Sequence, residues 1–273
     1  MNKLIFNIPS ELPDYILDQK IFSDGIVIRA DATDQNVINY VKNISKLPFN
    51  LIISDPPYGL IVKNEWDQNI KDDEKFSNWL TNWVVKWFSI LEDGAAAYVF
   101  GGTGKKFFRP FFRFCSEIEH KTNGNITLHN YISWKKKRAI GSKYNYLYCR
   151  EEIALLLKTI NIDKPRIFNI PYTDKLRGYE GYNPKYKCKS PYLRFSNIWD
   201  ISEIFKGKKH ICEKPFEVCA IPIRTHTNEG DIILDLFAGS AATAVAARKL
   251  KRKFISIELG EREYNTIVDR LKE

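Results

Sequence analysis

The segment Asp231–Gly260, DIILDLFAGSAATAVAARKLKRKFISIELG, has the punctuation of a strand, a tight turn, a helix and a second strand. An apolar run ends at Asp235, and the small residues Ala238, Gly239 and Ser240 make the turn. An alanine-rich helix and the strand KFISIE follow. Small residues let backbone come close to a ligand, and a helix N-terminus favours the ligand's anionic end. Glu258 stands 19 residues beyond Gly239, matching the ~20-residue offset at which an acid reaches a ribose hydroxyl. The same turn also suits plain strand–helix packing, so alone it leaves ligand binding open.

Outward from this unit the chain keeps alternating. GIVIRAD (Gly25–Asp31) reads as a short buried strand, DQNVINYVKNIS as a helix and NLIIS as a second strand. In the next helix Trp79, Trp83 and Trp87 recur every four residues; this stripe reads as a helix face packed on a sheet. GAAAYVF, LHNYISW and EEIALLLK read as strands, with a helix over KKFFRPFFRFCSEI. After Lys158 the pattern gives way to an aperiodic stretch rich in Pro, Gly, Tyr and Lys, and order returns with a helix from about Lys214. Strands alternating with helices predict a mostly parallel sheet covered on both faces.

The other informative stretch is FNLIISDPPYGL, Phe49–Leu60. Ligands of open parallel sheets sit beyond the carboxyl ends of the strands, so Asp55 is expected at the mouth of the crevice. A residue before proline is held extended, and Pro56 and Pro57 remove two N–H donors. The expected result is a stiff loop offering a carboxylate, a carbonyl and the ring of Tyr58. Such a set suits an aromatic amine: two acceptors for its hydrogens and a surface to stack on. A WW-domain ligand is the competing reading, but it needs a residue between Pro-Pro and Tyr, and this stretch is tethered to a buried strand.

Composition narrows the rest. The 273 residues are 44% hydrophobic and 14% aromatic, enough for a substantial core. Five scattered cysteines and four histidines show no metal-ligand spacing, so no metal is expected. No apolar run suits a signal peptide or a membrane span, so a soluble protein of a cytoplasmic-type compartment is expected. The net charge is +9, and Trp134–Lys214 alone carries 19 Lys+Arg against 8 Asp+Glu. Interleaved with Tyr172, Tyr179, Tyr182, Tyr186 and Tyr192, these cations suit phosphate contact and base stacking. The run Trp134–Arg138, WKKKR, is expected just past a strand end, touching phosphate near the active site. GGTGKK (Gly101–Lys106) departs from a phosphate loop at its first glycine and its last position. His210 and His226 have no spacing that ties them to the crevice.

Together, DPPY at Asp55–Tyr58, DLFAGS at Asp235–Ser240, FSNIWDI at Phe195–Ile201 and HICEKP at His210–Pro215 resemble the amino-methyltransferases that methylate DNA bases at an exocyclic nitrogen. With the DPPY loop preceding the cofactor turn, the order is similar to the permuted beta class. The resemblance implies a Rossmann-like class I methyltransferase sheet, circularly permuted, with a small irregular target-recognition insert. It divides the chain into a catalytic half (1–157), a target-recognition and DNA-binding insert (158–209) and a cofactor half (210–273). It implies S-adenosylmethionine as cofactor and double-stranded DNA as substrate, in a prokaryotic or phage restriction–modification setting. Adenine N6 is expected as target, with cytosine N4, or a DNA-binding subunit needing a partner, as alternatives; a homodimer is also open. Asp55, Pro56, Pro57 and Tyr58 fall on the family's catalytic loop. Asp31, Lys214, Asp235, Phe237, Ala238, Gly239, Ser240 and Glu258 fall on its cofactor positions. Lys135, Lys136, Lys137, Arg138, Lys143, Arg177, Lys185, Lys187 and Arg194 are the candidates for DNA contact. One departure stands out: Ala241 occupies the place of the family's second glycine.

Overall fold

Ile26–Ile28, Leu51–Ile53, Ile232–Leu234 and Phe254–Ile257 are all buried, as strands covered on both faces must be. The structure, a computed structural model, describes residues 6–57, 72–102, 105–141, 143–144, 146–176, 190–203 and 214–272. In chain order these form β1 (Asp18–Phe22), β2 (Gly25–Arg29), α1 (Gln35–Ile44), β3 (Phe49–Ser54), α2 (Asp73–Phe88), β4 (Ala96–Phe100), α3 (Lys105–Lys121), β5 (Ile126–Ile140) and β6 (Tyr148–Lys158). There follow β7 (Tyr172–Leu176), β8 (Tyr192–Arg194), β9 (Ile198–Asp200), α4 (Phe216–His226), β10 (Ile232–Asp235), α5 (Ala242–Lys249), β11 (Lys253–Glu258) and α6 (Glu261–Lys272).

The main sheet runs β1-β2-β11-β10-β3-β4-β6-β5-β9. Its interior, β2 through β4, is parallel, whereas β1 and β6 lie antiparallel to their neighbours. Side chains alternate faces at a period of two. Ile26, Ile28, Ile232, Leu234, Ile255 and Ile257 therefore join α1, α2 and α3 in one core layer. Val27, Ile233 and Phe254 join α4, α5 and α6 in the other. The tryptophan stripe is core: Trp83 and Trp87 are buried, and the Trp87 indole N–H donates to the Ala32 carbonyl at 2.8 Å. Asp34 and Asp72 cap α1 and α2, accepting from the backbone N–H of Asn36 and Glu74 at 2.8 and 2.7 Å.

Two features differ from expectation. β5 and β6 form a long antiparallel hairpin, so WKKKR lies within a strand rather than after its end. The stretch after Lys158 also builds more structure than its composition suggests. β7 and β8 pair as an antiparallel ribbon, and β9 then adds to the edge of the main sheet, parallel to β5. The segment before the ribbon is tied to the end of α4, where the Asn169 N–H donates to the Thr225 carbonyl at 2.8 Å.

Candidate active site at the carboxyl edge of the sheet

β3 and β10 are parallel neighbours, so Asp55, just past β3, and Asp235, closing β10, stand at the same edge. Pro56 is buried and Pro57 half-buried, as a stiff exit from a central strand requires. The Asp55 side chain, 25% exposed, accepts a hydrogen bond at Oδ2 from Lys214 Nζ at 2.5 Å. That ammonium is itself 10% exposed and lies 3.3 Å from Glu151 Oε2 of β6. It sits 4.9 Å from the centre of the Phe100 ring and 5.9 Å from that of Trp134. Lys136 of β5 pairs with the other Glu151 oxygen and lies 4.9 Å from the centre of the Trp134 ring. Burial alone pushes the Lys214 pKa down, but the carboxylates of Asp55 and Glu151 outweigh it, and the ammonium is held above its ordinary value. Burial likewise pushes Glu151 up, yet Lys214 and Lys136 bring it below the usual carboxylate range.

One strand away the chemistry changes. Asp235 is buried and pushed up to about 7, chiefly by loss of water, with the Asp55 and Glu258 charges adding to it. Glu258, at the end of β11, is also raised by burial, despite accepting from the backbone N–H of Gly239 at 2.9 Å and of Gly260 at 3.0 Å. Among the described residues, the charges that raise these two acids are carboxylates: Asp55 and Glu258 for Asp235, Glu263 for Glu258. Gly239 has φ +48°, a left-handed turn that glycine adopts without strain. Ala238 and Ser240 are buried beside it. The Phe237 ring packs edge-on against Trp83 at 5.5 Å, so the tryptophan stripe props the turn from below. Asp31 lies just past β2 and accepts from the N–H and hydroxyl of Thr33, both at 2.8 Å. Its neighbour Ala30 donates to the Glu258 carbonyl, which sets Asp31 beside the β11 end.

The Ala241 departure has a conformational answer. Ala241 has φ 62° and ψ 22°, the left-handed region where glycine is favoured, and it is wholly buried. The chain keeps the backbone shape a glycine would give, with the methyl in the core layer beside Ala238 and Ala244. Left-handed strain of ~1 kcal/mol is nearly offset by the ~0.8 kcal/mol of a buried methyl.

The catalytic and cofactor candidates thus converge, with Lys214 on Asp55 rather than among the acids of the β10–β11 turn. Tyr58 lies outside the described residues, as do Arg177, Lys185, Lys187, His210 and the side chain of Arg138. The remaining basic candidates separate by strand face. Trp134 and Lys136 point inward, whereas Lys135 and Lys137 are exposed, Lys135 lying 3.8 Å from Asp200. Lys143 stands exposed beside Tyr144 near the hairpin tip, and Arg194 is exposed on β8. Because β5 runs in the direction of β4, its far end and the tip rise on the same edge as Asp55. His226 is buried, bonded through Nδ1 to the Ile167 carbonyl and pushed down to about 4 by burial; it belongs to the core. Glu151 was not among the candidates, since the start of EEIALLLK reads simply as the polar end of a strand. No group of His, Cys, Asp and Glu able to hold a metal occurs among the described residues, nor any helix long and apolar enough to cross a membrane.

Residues 49–269 match the N6/N4 methyltransferase family model, described as DNA methylase. The chain is 28% identical to the Type II methyltransferase M1.MboII of Moraxella bovis, over 84% of this chain and 92% of that one. It is also 28% identical to the DNA adenine methyltransferase YhdJ of Escherichia coli K12, over 80% and 74%. Among solved structures, the cytosine-N4-specific PvuII DNA methyltransferase superposes with a TM-score of 0.67 at 18% identity, covering 90% of this chain and 86% of that one. The M1.HpyAVI–SAM complex gives 0.60 at 24% identity, covering 90% and 98%. At these identities the two structures speak for the fold.

Proposed function

This chain belongs to the DNA methylase family, and from that premise we propose that it methylates the N6 amine of an adenine turned out of double-stranded DNA, using S-adenosylmethionine. The observation that carries the reading is the placement of Asp55-Pro56-Pro57 at the end of β3, beside the acid-lined turn of β10 and β11. Two carboxylates raised by burial and by neighbouring carboxylate charge suit a ligand bearing positive charge and hydroxyl donors. S-adenosylmethionine has a sulfonium, an ammonium and a ribose, so the donor set fits. Glu258 is the acid for the ribose hydroxyls, Asp235 and Asp31 flank it, and the small turn Ala238–Ser240 admits the ligand to the backbone. When bound, the cofactor supplies an electrophilic methyl group.

The chain's own residues solve the other half of the problem. The adenine amine is a poor nucleophile because its lone pair is delocalised into the ring. Asp55 and the Pro56 carbonyl accept its two hydrogens, drawing the nitrogen towards tetrahedral geometry and freeing the lone pair. Orientation and fixed dipoles provide the acceleration, and Asp55 receives the released proton directly or through water. The amine is out of reach inside a duplex, so the base is flipped out, with Tyr58 as its stacking surface. Exposed Lys135, Lys137, Lys143 and Arg194 hold the phosphates that fix the duplex over this edge. Asp rather than Ser ahead of Pro-Pro-Tyr, together with the adenine-specific relative, supports adenine over cytosine. Mass spectrometry of nucleosides from DNA incubated with the protein and cofactor tests the reading. N6-methyladenine is expected; N4-methylcytosine alone overturns the choice of base, and no methylated base overturns the activity.

A further inference from the structure

We infer that Glu151 is a positioning residue for Asp55, taking over the hydrogen bond of Lys214 when Asp55 turns its oxygens to the substrate amine. This rests on the reading of Asp55 as the amine acceptor. Lys214 Nζ stands between two carboxylates and is held more closely by one. It donates to Asp55 Oδ2 at 2.5 Å, whereas it approaches Glu151 Oε2 only to 3.3 Å, the longer and weaker of its two contacts. Glu151 Oε2 is buried and lacks a well-aligned donor, a state that favours any rearrangement bringing one closer. Its other oxygen is taken by Lys136, so the carboxylate is pinned with Oε2 aimed at Lys214. Phe100 and Trp134 hold the ammonium between the two acids.

An acceptor already filled by Lys214 offers less to an incoming amine. Moving one hydrogen bond from Asp55 to Glu151 frees Asp55 while the same ammonium stays between the same two carboxylates, so no charge is created or left bare. Among the described residues, the other charged or titratable neighbours named by their contacts do not compete for the Lys214 hydrogen bond. Lys136 bonds Glu151 from β5, Asp235 of β10 feels the Asp55 charge, and burial pushes the Cys219 thiol of α4 up to about 12. Glu152, next in the chain, turns to the other face, bonding Ser133 and Arg150.

The test is Glu151→Gln, which keeps the shape and removes the charge that draws Lys214 away. Single-turnover methyl transfer at saturating cofactor and DNA is expected to fall about 10- to 100-fold, with the Kd for S-adenosylmethionine unchanged within about threefold. Placed in an Asp55→Ala background, Glu151→Gln is expected to cost nothing further, because Glu151 acts through Asp55. A further loss of about tenfold in that background, or a matching loss of cofactor affinity, overturns the inference. If Asp55→Ala alone transfers methyl at the parental rate, the functional reading has failed and the inference falls with it, a distinguishable result. Should Glu151→Gln not fold, Glu151→Asp keeps the charge but shortens the reach, and the same pattern is expected: slower transfer, unchanged affinity and no added effect on Asp55→Ala. Any other pattern counts against it.

Discussion

β3 and β10 lie side by side, yet they end in acids held in opposite ways. Asp55 faces an ammonium, which shares a second carboxylate with a further lysine. Asp235, though more deeply buried, has carboxylate charge beside it and, among the described residues, hydrogen bonds to neutral groups, Thr243 and the Phe237 N–H. What differs between the two places is the local compensation. An acid paired with a lysine is held in place until its oxygens turn to a substrate amine. An acid without a cation is poised for a ligand that brings one. The sheet edge thus divides into a part that supplies its own counter-charge and a part that does not, and we propose that these are the catalytic and the cofactor halves.

Breaking the catalytic half produces the largest effect. Asp55→Ala is expected to slow methyl transfer by on the order of 10²–10³-fold, read by incorporation of labelled methyl into DNA; a loss under tenfold breaks the division. The cofactor half is probed by pH. Asp235 titrates near 7 in the folded chain against an ordinary 3.8, so the folded chain keeps a proton that the unfolded chain releases. That contribution is fully present below about pH 4 and is lost as pH rises through 7, at on the order of 1 kcal/mol per unit. Denaturant titrations from pH 5 to 8 are therefore expected to show the parent losing stability relative to Asp235→Asn; parallel curves would mean that Asp235 is compensated after all.

The surface proposed to face DNA gives smaller changes. Lys137→Ala, Lys143→Ala and Arg194→Ala are each expected to lower the slope of log affinity against log salt by about one, measured by fluorescence anisotropy on duplex DNA. Lys136→Ala, being inward, is expected to leave that slope unchanged. Smallest of all is Ala241→Gly. Relief of left-handed strain and loss of a buried methyl nearly cancel, so a stability change within ~0.5 kcal/mol is expected.

Much of this comparison is legible in the residues themselves. The fully apolar runs mark interior strands, and Asp55 and Asp235 must then fall on one edge because strand order within a parallel sheet fixes which ends align. The Lys214–Glu151–Lys136 cluster is not legible, since it depends on the register of the β5–β6 hairpin and on a helix start far away in sequence. Lys136 shows the limit well. In a five-residue basic run every cation looks solvent-facing, and only the alternation of a strand turns Lys136 to the buried side of Trp134. β9 is equally hidden: three residues of edge strand carry no periodic signal, and Trp199 alone is buried. Ala241 reads as a departure from the glycine pattern until its φ is known.

The most direct test of the divided edge is a calorimetric titration of S-adenosylmethionine into the Asp55→Ala and Glu258→Ala proteins side by side. Asp55→Ala is expected to bind like the parent within about threefold, and Glu258→Ala to bind at least about tenfold more weakly, a difference of ~1.4 kcal/mol. Equal weakening of both, or weakening of Asp55→Ala alone, would contradict the assignment of the two halves.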